Sequence, residues 1–410
     1  MSAPDLTAAL AIIDRDREEA LSFLKGLVAV PSDNPPGDCA PHARHTRAAL
    51  EALGFEVESH TVPEEALKAA GMTSAINLIV RHRFGEGPTV ALNAHGDVVP
   101  PGEGWTTDPY GGEVRDGWMY GRGAAVSKSD IATYAFALKA LRESGAELAG
   151  TVEIHVTYDE ETGGEIGPAR LLSHGLTTPD FAICAAFSYD VVIAHNGCLH
   201  LEVEVAGLSA HAARPDTGHD ALEAATTILG ALYRHRETLK DRRSSMPGIT
   251  SPSMVVGLIS GGINTNVVPD RVTFRLDRRI TPEEAPEEVE AETVRLIREA
   301  AAALEGITVS VRRILLARPF MPVPGADRLA DIVARRASEV IGEAVGTTGV
   351  PLYADARHYA EAGVPTVMYG AGPRSLLEAN GHRADERLPV DTLHKATRVI
   401  ALTIGDLLAG

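Results

Sequence analysis

The sequence predicts an α/β protein with a mostly parallel sheet and helices on both faces, plus an inserted ferredoxin-like α+β domain. Apolar strand candidates alternate with helical patterns in the first and last parts of the chain, the order βαββαβ occurs in the middle, and strand signals of the first kind resume after Pro319. Alternating strands and helices are typical of parallel sheets. The predicted α/β domain comprises residues 1–197 and 318–410, and the inserted domain comprises residues 198–317.

Four apolar segments predict the strands of the α/β domain. They read TVALNA before His95, TVEIHVTY before Asp159, FAIC before Ala185 and PTVMY before Gly370, with helical patterns such as IATYAFALKALRESG between them. In sheets of this kind, ligands bind at the carboxyl ends of the strands. Those ends carry a histidine, an acidic triplet and a glycine turn, so the chemistry is expected there.

The inserted domain has its own order of elements. Its strand patterns are LHLEVEVAG, SPSMVVGLIS, RVTFRLDRRI and ITVSVRRIL, and its helical patterns are DALEAATTILGALYRHRETLK and PEEVEAETVRLIREAAAAL. In chain order they form βαββαβ, the ferredoxin-like plan of four strands with two helices on one face.

Composition and charge argue against several classes of partner. The chain of 410 residues is 44% apolar and 23% charged, which is ordinary for a soluble globular protein. Its formal net charge of −18 disfavours nucleic acid and anionic membrane surfaces. No run of about 18 apolar residues predicts a membrane span, and the amphipathic N-terminal segment does not resemble a signal peptide. Three scattered cysteines without a CxxC motif favour a cytoplasmic location.

Three polar clusters have the residue types of a metal-dependent hydrolase. LNAHGDVVPP places His95 and Asp97 after a predicted strand. A metal-binding imidazole usually has a carboxylate partner that fixes its tautomer, although an isolated H-x-D pattern is more often a capped strand end. TYDEETGGEIG contains three adjacent acids at residues 159–161. Such acids usually form a solvated loop, but one can bind a cation while its neighbour acts as general base on water. EANGHRADERLP contains His382, which alone is uninformative.

In this order, the three clusters resemble the metallohydrolase family of acetylornithine deacetylase, succinyl-diaminopimelate desuccinylase, aminoacylase and carboxypeptidase G, which has a co-catalytic zinc centre. Further segments look like signatures of that family: PSDNPPG, GWTTDPYGGEVRDGWMYGRG, GLSAHAARPDTGHDALEAA, GGINTNVVPDRVTFRLDRR and DARHYAEAGVPTVMYGAG. The resemblance covers nearly the whole chain, the inserted domain included. It implies a hydrolase that cleaves an amide or other C–N bond of a small substrate bearing a carboxylate.

The resemblance also implies roles for the residues of the three clusters. His95 would bind one metal ion, with Asp97 orienting its ring. Glu160 would be the general base that activates water. Glu161 and His382 would bind the other ion of the family's centre.

Other residues would contact the substrate, by the same resemblance. His211 would reach from the inserted domain into the partner subunit's active site and stabilise the developing oxyanion. Asn266, Arg279, Arg357 and Gly372 would hold the substrate, and arginine suits a carboxylate because its planar fork donates two hydrogen bonds. This arrangement implies a homodimer or a higher homo-oligomer that pairs through the inserted domain.

Two positions depart from the family pattern. The run GRGAAVSKSD has Val126 where the family has its bridging aspartate, and FAICAAFS has Ala186 where the family has a metal-binding acid. Two unit charges about 4 Å apart repel by roughly 4 kcal/mol at an effective dielectric of about 20, and two dications about four times as strongly. Without the shared carboxylate that offsets this repulsion, we expect the dinuclear centre to be absent.

The remaining set, His95, Glu161 and His382, is compatible with one divalent ion, zinc first, with manganese, iron or cobalt as alternatives. Asp130, one helical turn after Val126, and Asp190, four residues after Ala186, are candidates for a relocated ligand. The sequence therefore predicts a hydrolase with one metal ion. A metal-free enzyme or a non-catalytic binding protein on the same scaffold is the alternative.

Overall fold

The computed structural model describes residues 4–409 of the chain. The helices are α1 (Thr7–Arg15), α2 (Arg17–Val28), α3 (Ala40–Ala52), α4 (Glu64–Ala70), α5 (Lys128–Ser144), α6 (Pro168–Ser173), α7 (Ala221–Leu239), α8 (Pro286–Ala301), α9 (Ala326–Ile341), α10 (Ala356–Glu361), α11 (Leu376–Ala379) and α12 (Val390–Leu407). The strands are β1 (Val57–Thr61), β2 (Ile76–Arg83), β3 (Thr89–His95), β4 (Glu113–Arg115), β5 (Trp118–Tyr120), β6 (Thr151–Thr157), β7 (Phe181–Cys184), β8 (Val191–His195), β9 (Gly197–Ala206), β10 (Ala210–His211), β11 (Ser253–Gly261), β12 (Val267–Val268), β13 (Arg271–Ile280), β14 (Thr308–Ala317), β15 (Thr347–Val350), β16 (Thr366–Met368) and β17 (Arg387–Pro389).

Two compact units divide the chain. The first extends to Ile193 and also contains Pro322–Thr348 and the part from Ala354 onward, whereas the second contains Ala194–Met321 and Gly349–Tyr353. The boundaries predicted from the sequence lie a few residues inside the second unit.

The first unit is built on a sheet with the strand order β1-β2-β6-β3-β7-β16-β8-β15. Its centre is parallel, since β3 pairs in parallel with β6 and β7, and β16 does so with β7. Antiparallel strands flank this centre on both sides. All residues of β3 and β6 after the first are buried, so both faces of the sheet are covered. The predicted α/β fold with a parallel core is therefore confirmed.

Helix α5 is the most deeply buried helix segment of this unit. All of its residues from Lys128 to Leu141 are buried, and it packs against α12, α1 and α2 as well as the sheet. A helix that is covered all round belongs to the interior of a large domain. Its N-terminus begins directly after Val126 and Ser127, so the interior of the domain fixes the position of this loop.

The second unit has the predicted ferredoxin-like plan. Its strands are ordered β11-β13-β9-β14 and pair antiparallel throughout. Burial alternates along β9 and β13, and the apolar side chains of one face pack with those of α7 and α8. Both helices therefore lie on one face of this sheet, and the other face carries the polar residues of each strand. Strand β11 is an edge of the sheet.

A buried ion pair braces the loop that leads into α5. Arg122 Nη1 lies 2.5 Å from Glu386 Oε2, and the two side chains are only 1% and 5% exposed. The other oxygen of Glu386 accepts the backbone N–H groups of Gly123 at 3.0 Å and Ala125 at 3.2 Å. One carboxylate from the C-terminal part of the chain thus holds the segment that ends at Val126.

Replacing Arg122 with Met should therefore destabilise the protein strongly. Removing one partner of a buried pair leaves an uncompensated charge and typically costs about 3–5 kcal/mol. Denaturant unfolding measures this loss, with Arg47→Gln as control because the pair of Arg47 with Glu51 is exposed and should contribute less than about 1 kcal/mol. Equal losses in the two variants would show that the buried pair does not brace the loop.

Candidate active site

His95 is the last residue of β3, and its surroundings fix its ring. Its backbone N–H donates to Ser127 Oγ at 3.0 Å, and its Nδ1 lies 2.9 Å from the backbone oxygen of Asp97. A carbonyl oxygen only accepts, so Nδ1 carries the proton and Nε2 is the atom left for a ligand. Burial by itself lowers the pKa of His95, but the negative charges of Glu160 and Asp97 outweigh it and raise the pKa well above the ordinary value. The site favours a positive charge at this position.

Asp97 organises the acidic turn that follows β6. It is fully buried, and its carboxylate accepts from Asn34 Nδ2 at 3.0 Å and from the backbone N–H groups of Glu160 at 3.3 Å and Glu161 at 3.2 Å. The His95 ring donates its hydrogen bond from Nδ1 to the backbone oxygen of Asp97. The carboxylate oxygen Oδ1 of Asp97 is 3.4 Å from the same nitrogen. Asp97 thus links the ends of β3 and β6 through both its backbone and its side chain.

The two glutamates of the turn lie beside His95. Ligand atoms of His95, Glu160 and Glu161 are all within 4.8 Å of one another, and Glu160 Oε2 is 3.9 Å from His95 Nε2. Burial raises the pKa of both glutamates. The third acid, Asp159, has a different environment, because it is buried and one of its oxygens accepts the backbone N–H of Ile166 at 2.7 Å.

His382 lies at the edge of this group. It follows α11 in a loop, has a positive φ of 61°, and its side chain is 67% exposed. Its Nε2 is 3.8 Å from Glu161 Oε1. Among the predicted metal ligands, the structure therefore places His95 and Glu161 in one compact group and His382 beside Glu161.

The two positions that lack a carboxylate are occupied by apolar side chains. Val126 ends the loop before α5, and Ala186 is buried, with its backbone oxygen accepting the N–H of Gly372 at 2.9 Å. This hydrogen bond joins the chain after β7 to the glycine turn after β16, and Gly372 was predicted to contact the substrate.

Asp130 and Asp190 do not replace the missing ligands in this geometry. Within residues 4–409, neither belongs to a group of three or more His, Cys, Asp or Glu side chains with ligand atoms within 4.8 Å of one another. Asp190 is exposed. Asp130 is fully buried in α5 and accepts the backbone N–H of Ala371 at 2.7 Å. A Cβ at position 370 would lie 1.9 Å from this carboxylate, so Asp130 requires Gly370.

Arg357 is buried next to the acidic turn. Its guanidinium donates to the backbone oxygen of Gly163 and lies 3.3 Å from Glu165 Oε1. In this arrangement it supports the turn that carries Glu160 and Glu161.

The predicted substrate residues of the second unit form two groups. His211 and Asn266 are both exposed and adjacent, because Ala212 N–H donates to the Asn266 backbone oxygen at 3.0 Å. Arg279 lies on the polar face of the sheet, where its Nε donates to Asp277 Oδ1 at 3.0 Å and its guanidinium is 5.6 Å from the ring centre of Tyr353.

Comparison with known proteins decides the family. The profile of peptidase family M20/M25/M40 matches residues 91–406. The chain belongs to this family. A succinyl-diaminopimelate desuccinylase of Gluconacetobacter diazotrophicus is 29% identical over 395 residues, which cover 93% of this chain and 95% of that protein.

Solved structures share the fold over nearly full length. The dipeptidase Dug1p from Saccharomyces cerevisiae has a TM-score of 0.80 at 14% identity, with 99% of each chain covered. The M20 metallo-carboxypeptidase Sso-CP2 from Sulfolobus solfataricus has a TM-score of 0.77 at 16% identity, with 96% of this chain and 99% of that one covered. The resemblance found in the sequence is therefore confirmed. This M20 protein is a hydrolase acting on C–N bonds, from a metal-dependent family.

Two residues of this M20 site were not predicted from the sequence. Asn34 donates to Asp97 from a loop far away in the chain. Asp355 is buried beside the site, accepts from Thr157 Oγ1 at 3.2 Å, and has its pKa raised to about 6 by burial. A signal for both was present, because each lies inside a segment that resembles the family, PSDNPPG and DARHYAEAG.

Among the described residues, no helix has the length and apolar character needed to cross a membrane.

Asp130 gives a stability test that depends on pH. Burial raises its pKa to about 8, so the folded protein keeps a proton that the unfolded chain releases above about pH 4. Stability contributed by this group should therefore fall as the pH rises, by about 1.4 kcal/mol per pH unit, and level off above the folded-state pKa.

The measurement compares the wild type with Asp130→Asn by urea unfolding between about pH 5 and about pH 8. Asparagine does not titrate, and its oxygen can still accept from Ala371. The stability of the variant relative to the wild type should rise across this range. A difference independent of pH would show that Asp130 is ionised in the folded protein.

Proposed function

We propose that this M20 hydrolase uses a single divalent metal ion to cleave an amide or other C–N bond of a small substrate bearing a carboxylate. The observation that carries the proposal is the compact group of His95, Glu160 and Glu161 beside two positions, Val126 and Ala186, whose side chains have no atom that binds a metal.

The residues present fit one ion. Two ligand atoms that bind a common ion at about 2.0–2.2 Å are at most about 4.4 Å apart. Of the proposed ligands, His382 Nε2 is 3.8 Å from Glu161 Oε1, which lies below this limit, and the ligand atoms of His95 and Glu161 are within 4.8 Å of each other. The raised pKa of His95 points the same way, because the nearby carboxylates of Glu160 and Asp97 favour a positive charge at this position.

Charge balance supports one ion over two. The family pattern has an acid at each of the positions occupied by Val126 and Ala186, so this chain lacks two negative charges. Two carboxylates balance one divalent cation. A second dication would lack the bridging carboxylate, and dications about 4 Å apart repel strongly.

The proposed roles follow from the surroundings of each side chain. His95, Glu161 and His382 would hold the ion, and Asp97 would position His95 and the turn. A bound divalent ion would polarise the scissile carbonyl and lower the pKa of water. Glu160, the remaining acid of the group, would take a proton from water and deliver it to the leaving nitrogen.

His211 has the tautomer that an oxyanion donor needs. The backbone N–H of Ala213 donates to its Nδ1 at 3.0 Å, so the proton of the neutral ring lies on Nε2. Because the side chain is exposed, this Nε2–H is free to donate to a developing oxyanion. Asn266 next to it, together with Arg279, Arg357 and Gly372, would hold the substrate and its carboxylate.

We infer that the protein forms a homodimer through its second unit. The edge strand β11 exposes Val255, Leu258 and Ile259 at 54%, 61% and 54%. An exposed apolar edge strand is a site for pairing with a second chain. Dimerisation would bring His211 to the active site of the partner.

A cytoplasmic location agrees with three buried cysteines that form no disulfide.

The substrate class rests on relatives and on the altered centre. A relative over most of the chain is named succinyl-diaminopimelate desuccinylase, and the similar structures are a dipeptidase and a carboxypeptidase. These names describe hydrolysis of a C–N bond. Since this chain lacks two metal-binding positions, we propose an atypical amide or an activated amine as the bond cleaved, not an ordinary N-acyl amino acid.

Elemental analysis of protein purified without chelator should show about one metal ion per chain that depends on the active site, measured as the loss of metal in Glu161→Ala relative to the wild type. Glu161→Ala should lose the ion, since it removes a ligand. Glu160→Gln should keep the ion but lose turnover by at least about a hundredfold, since it removes only the base. Two ions per chain lost in Glu161→Ala would overturn the mononuclear proposal. No loss of metal in that variant would leave a metal-free enzyme or a binding protein on this scaffold.

A mixed dimer tests whether His211 acts on the partner subunit. His211→Ala and Glu160→Gln should each lose about 10²–10³ in turnover as homodimers. Unfolding and remixing the two in equal amounts should restore about a quarter of wild-type turnover per chain, because half of the dimers are mixed and each has one intact site. Turnover that stays at the level of the two homodimers would place His211 in its own subunit's site or outside the mechanism. Wild-type protein carried through the same refolding is the control.

A further inference from the structure

The polar face of the second unit's sheet carries a cluster of a thiol, an imidazole and a carboxylate. Cys198 and His200 are two residues apart on β9 and point to the face opposite α7 and α8, because Leu199 and Leu201 fill the core on the helix side. On the neighbouring strand β13, Asp277 is directly opposite His200. Antiparallel pairing thus brings the three side chains to one patch.

The distances within this patch are those of metal ligands. His200 Nε2 is 2.9 Å and Cys198 Sγ is 3.5 Å from the same oxygen, Asp277 Oδ2, and the three ligand atoms are all within 4.8 Å of one another. In a tetrahedral zinc site, bond lengths of about 2.3 Å to sulfur and about 2.0–2.2 Å to nitrogen and oxygen place S and O about 3.6 Å apart and N and O about 3.4 Å apart. The distance between the nitrogen of His200 and the oxygen of Asp277 needs to lengthen by only about half an ångström.

Burial and charge also suit a cation at this patch. Cys198 is buried, whereas the side chains of His200 and Asp277 are 33% and 29% exposed, so the patch is open on one side. The other oxygen of Asp277 accepts from Arg279 Nε at 3.0 Å. A carboxylate that binds an ion with one oxygen and accepts a hydrogen bond with the other is a common arrangement around protein-bound metals.

We propose that Cys198, His200 and Asp277 form a second metal site, for a borderline-soft divalent cation such as Zn²⁺, built from other residues than those of the active-site group. Thiolate and imidazole ligands select zinc and cobalt over magnesium and calcium. Binding releases the proton of the Cys198 thiol, and the thiolate and the carboxylate together balance the charge of the ion. Three protein ligands leave the fourth position open to water or to a ligand.

The site has a consequence for a predicted substrate residue. An ion on Oδ2 fixes the carboxylate of Asp277, and Arg279 is bound to the other oxygen of the same group. Occupancy therefore holds the guanidinium that is proposed to bind the substrate's carboxylate.

Cobalt titration of the full-length protein, stripped of metal beforehand, tests the proposal. Cobalt bound to a thiolate gives a charge-transfer band that cobalt on nitrogen and oxygen ligands lacks. The wild type should show this band with an intensity that corresponds to about one thiolate-bound ion per chain. Cys198→Ser should abolish the band, and His200→Ala, a more exposed position, should weaken cobalt binding at this site by at least about tenfold.

Two variants separate this site from the active site. Cys184→Ser removes a different buried cysteine, in the first unit, and should keep the band. Glu161→Ala should lose the active-site ion and also keep the band, so that each site can fail on its own. The proposal is overturned if the wild type shows no band, if Cys198→Ser retains it, or if Glu161→Ala or Cys184→Ser removes it.

Discussion

The active site depends on the burial of several carboxylates at the ends of β3 and β6. Asp97, Glu160, Glu161 and Asp355 are all withdrawn from water near one histidine. Charges in such surroundings repel one another and resist ionisation unless hydrogen bonds or a cation stabilise them. Asp97 uses backbone N–H groups and Asn34 for this purpose. Burial raises the pKa of both glutamates, and a bound cation would favour their ionised form.

The parallel sheet brings these buried side chains together. Parallel strands end at a common edge, so residues separated by more than sixty positions meet without long loops, as His95 and Glu160 do. The buried helix α5 and the pair of Arg122 with Glu386 hold the loop ending at Val126 against the same edge. The loop that carries Val126 is therefore held in place by buried contacts. The departures from the family pattern are the side chains at two positions, Val126 and Ala186.

The sequence predicted the features that depend on local pattern. Alternation of β3, α5 and β6 follows from hydrophobic periodicity, and the ferredoxin-like unit follows from the order of six strong segments. The candidate metal ligands His95, Glu161 and His382 were proposed from the sequence because they lie in segments that resemble a family. What the sequence did not provide were the contacts of chain-distant polar residues, such as Asn34 with Asp97 and Asp355 with Thr157. A hydrogen bond between distant residues leaves no periodicity, since it depends on the packing of the whole domain.

The distance in sequence between Val126 and Asp130 does not predict where the Asp130 side chain lies. One helical turn after Val126, it was a candidate for a relocated ligand, but α5 directs its side chain to the backbone of Ala371. Val126 lies before the first residue of α5, Lys128, so the geometry of a helical turn does not relate its side chain to that of Asp130. The space that Asp130 occupies exists because residue 370 is a glycine next to Ala186. The buried acid is thus tied to the second altered position and not to the first, and it joins the helix to the turn that carries Gly372.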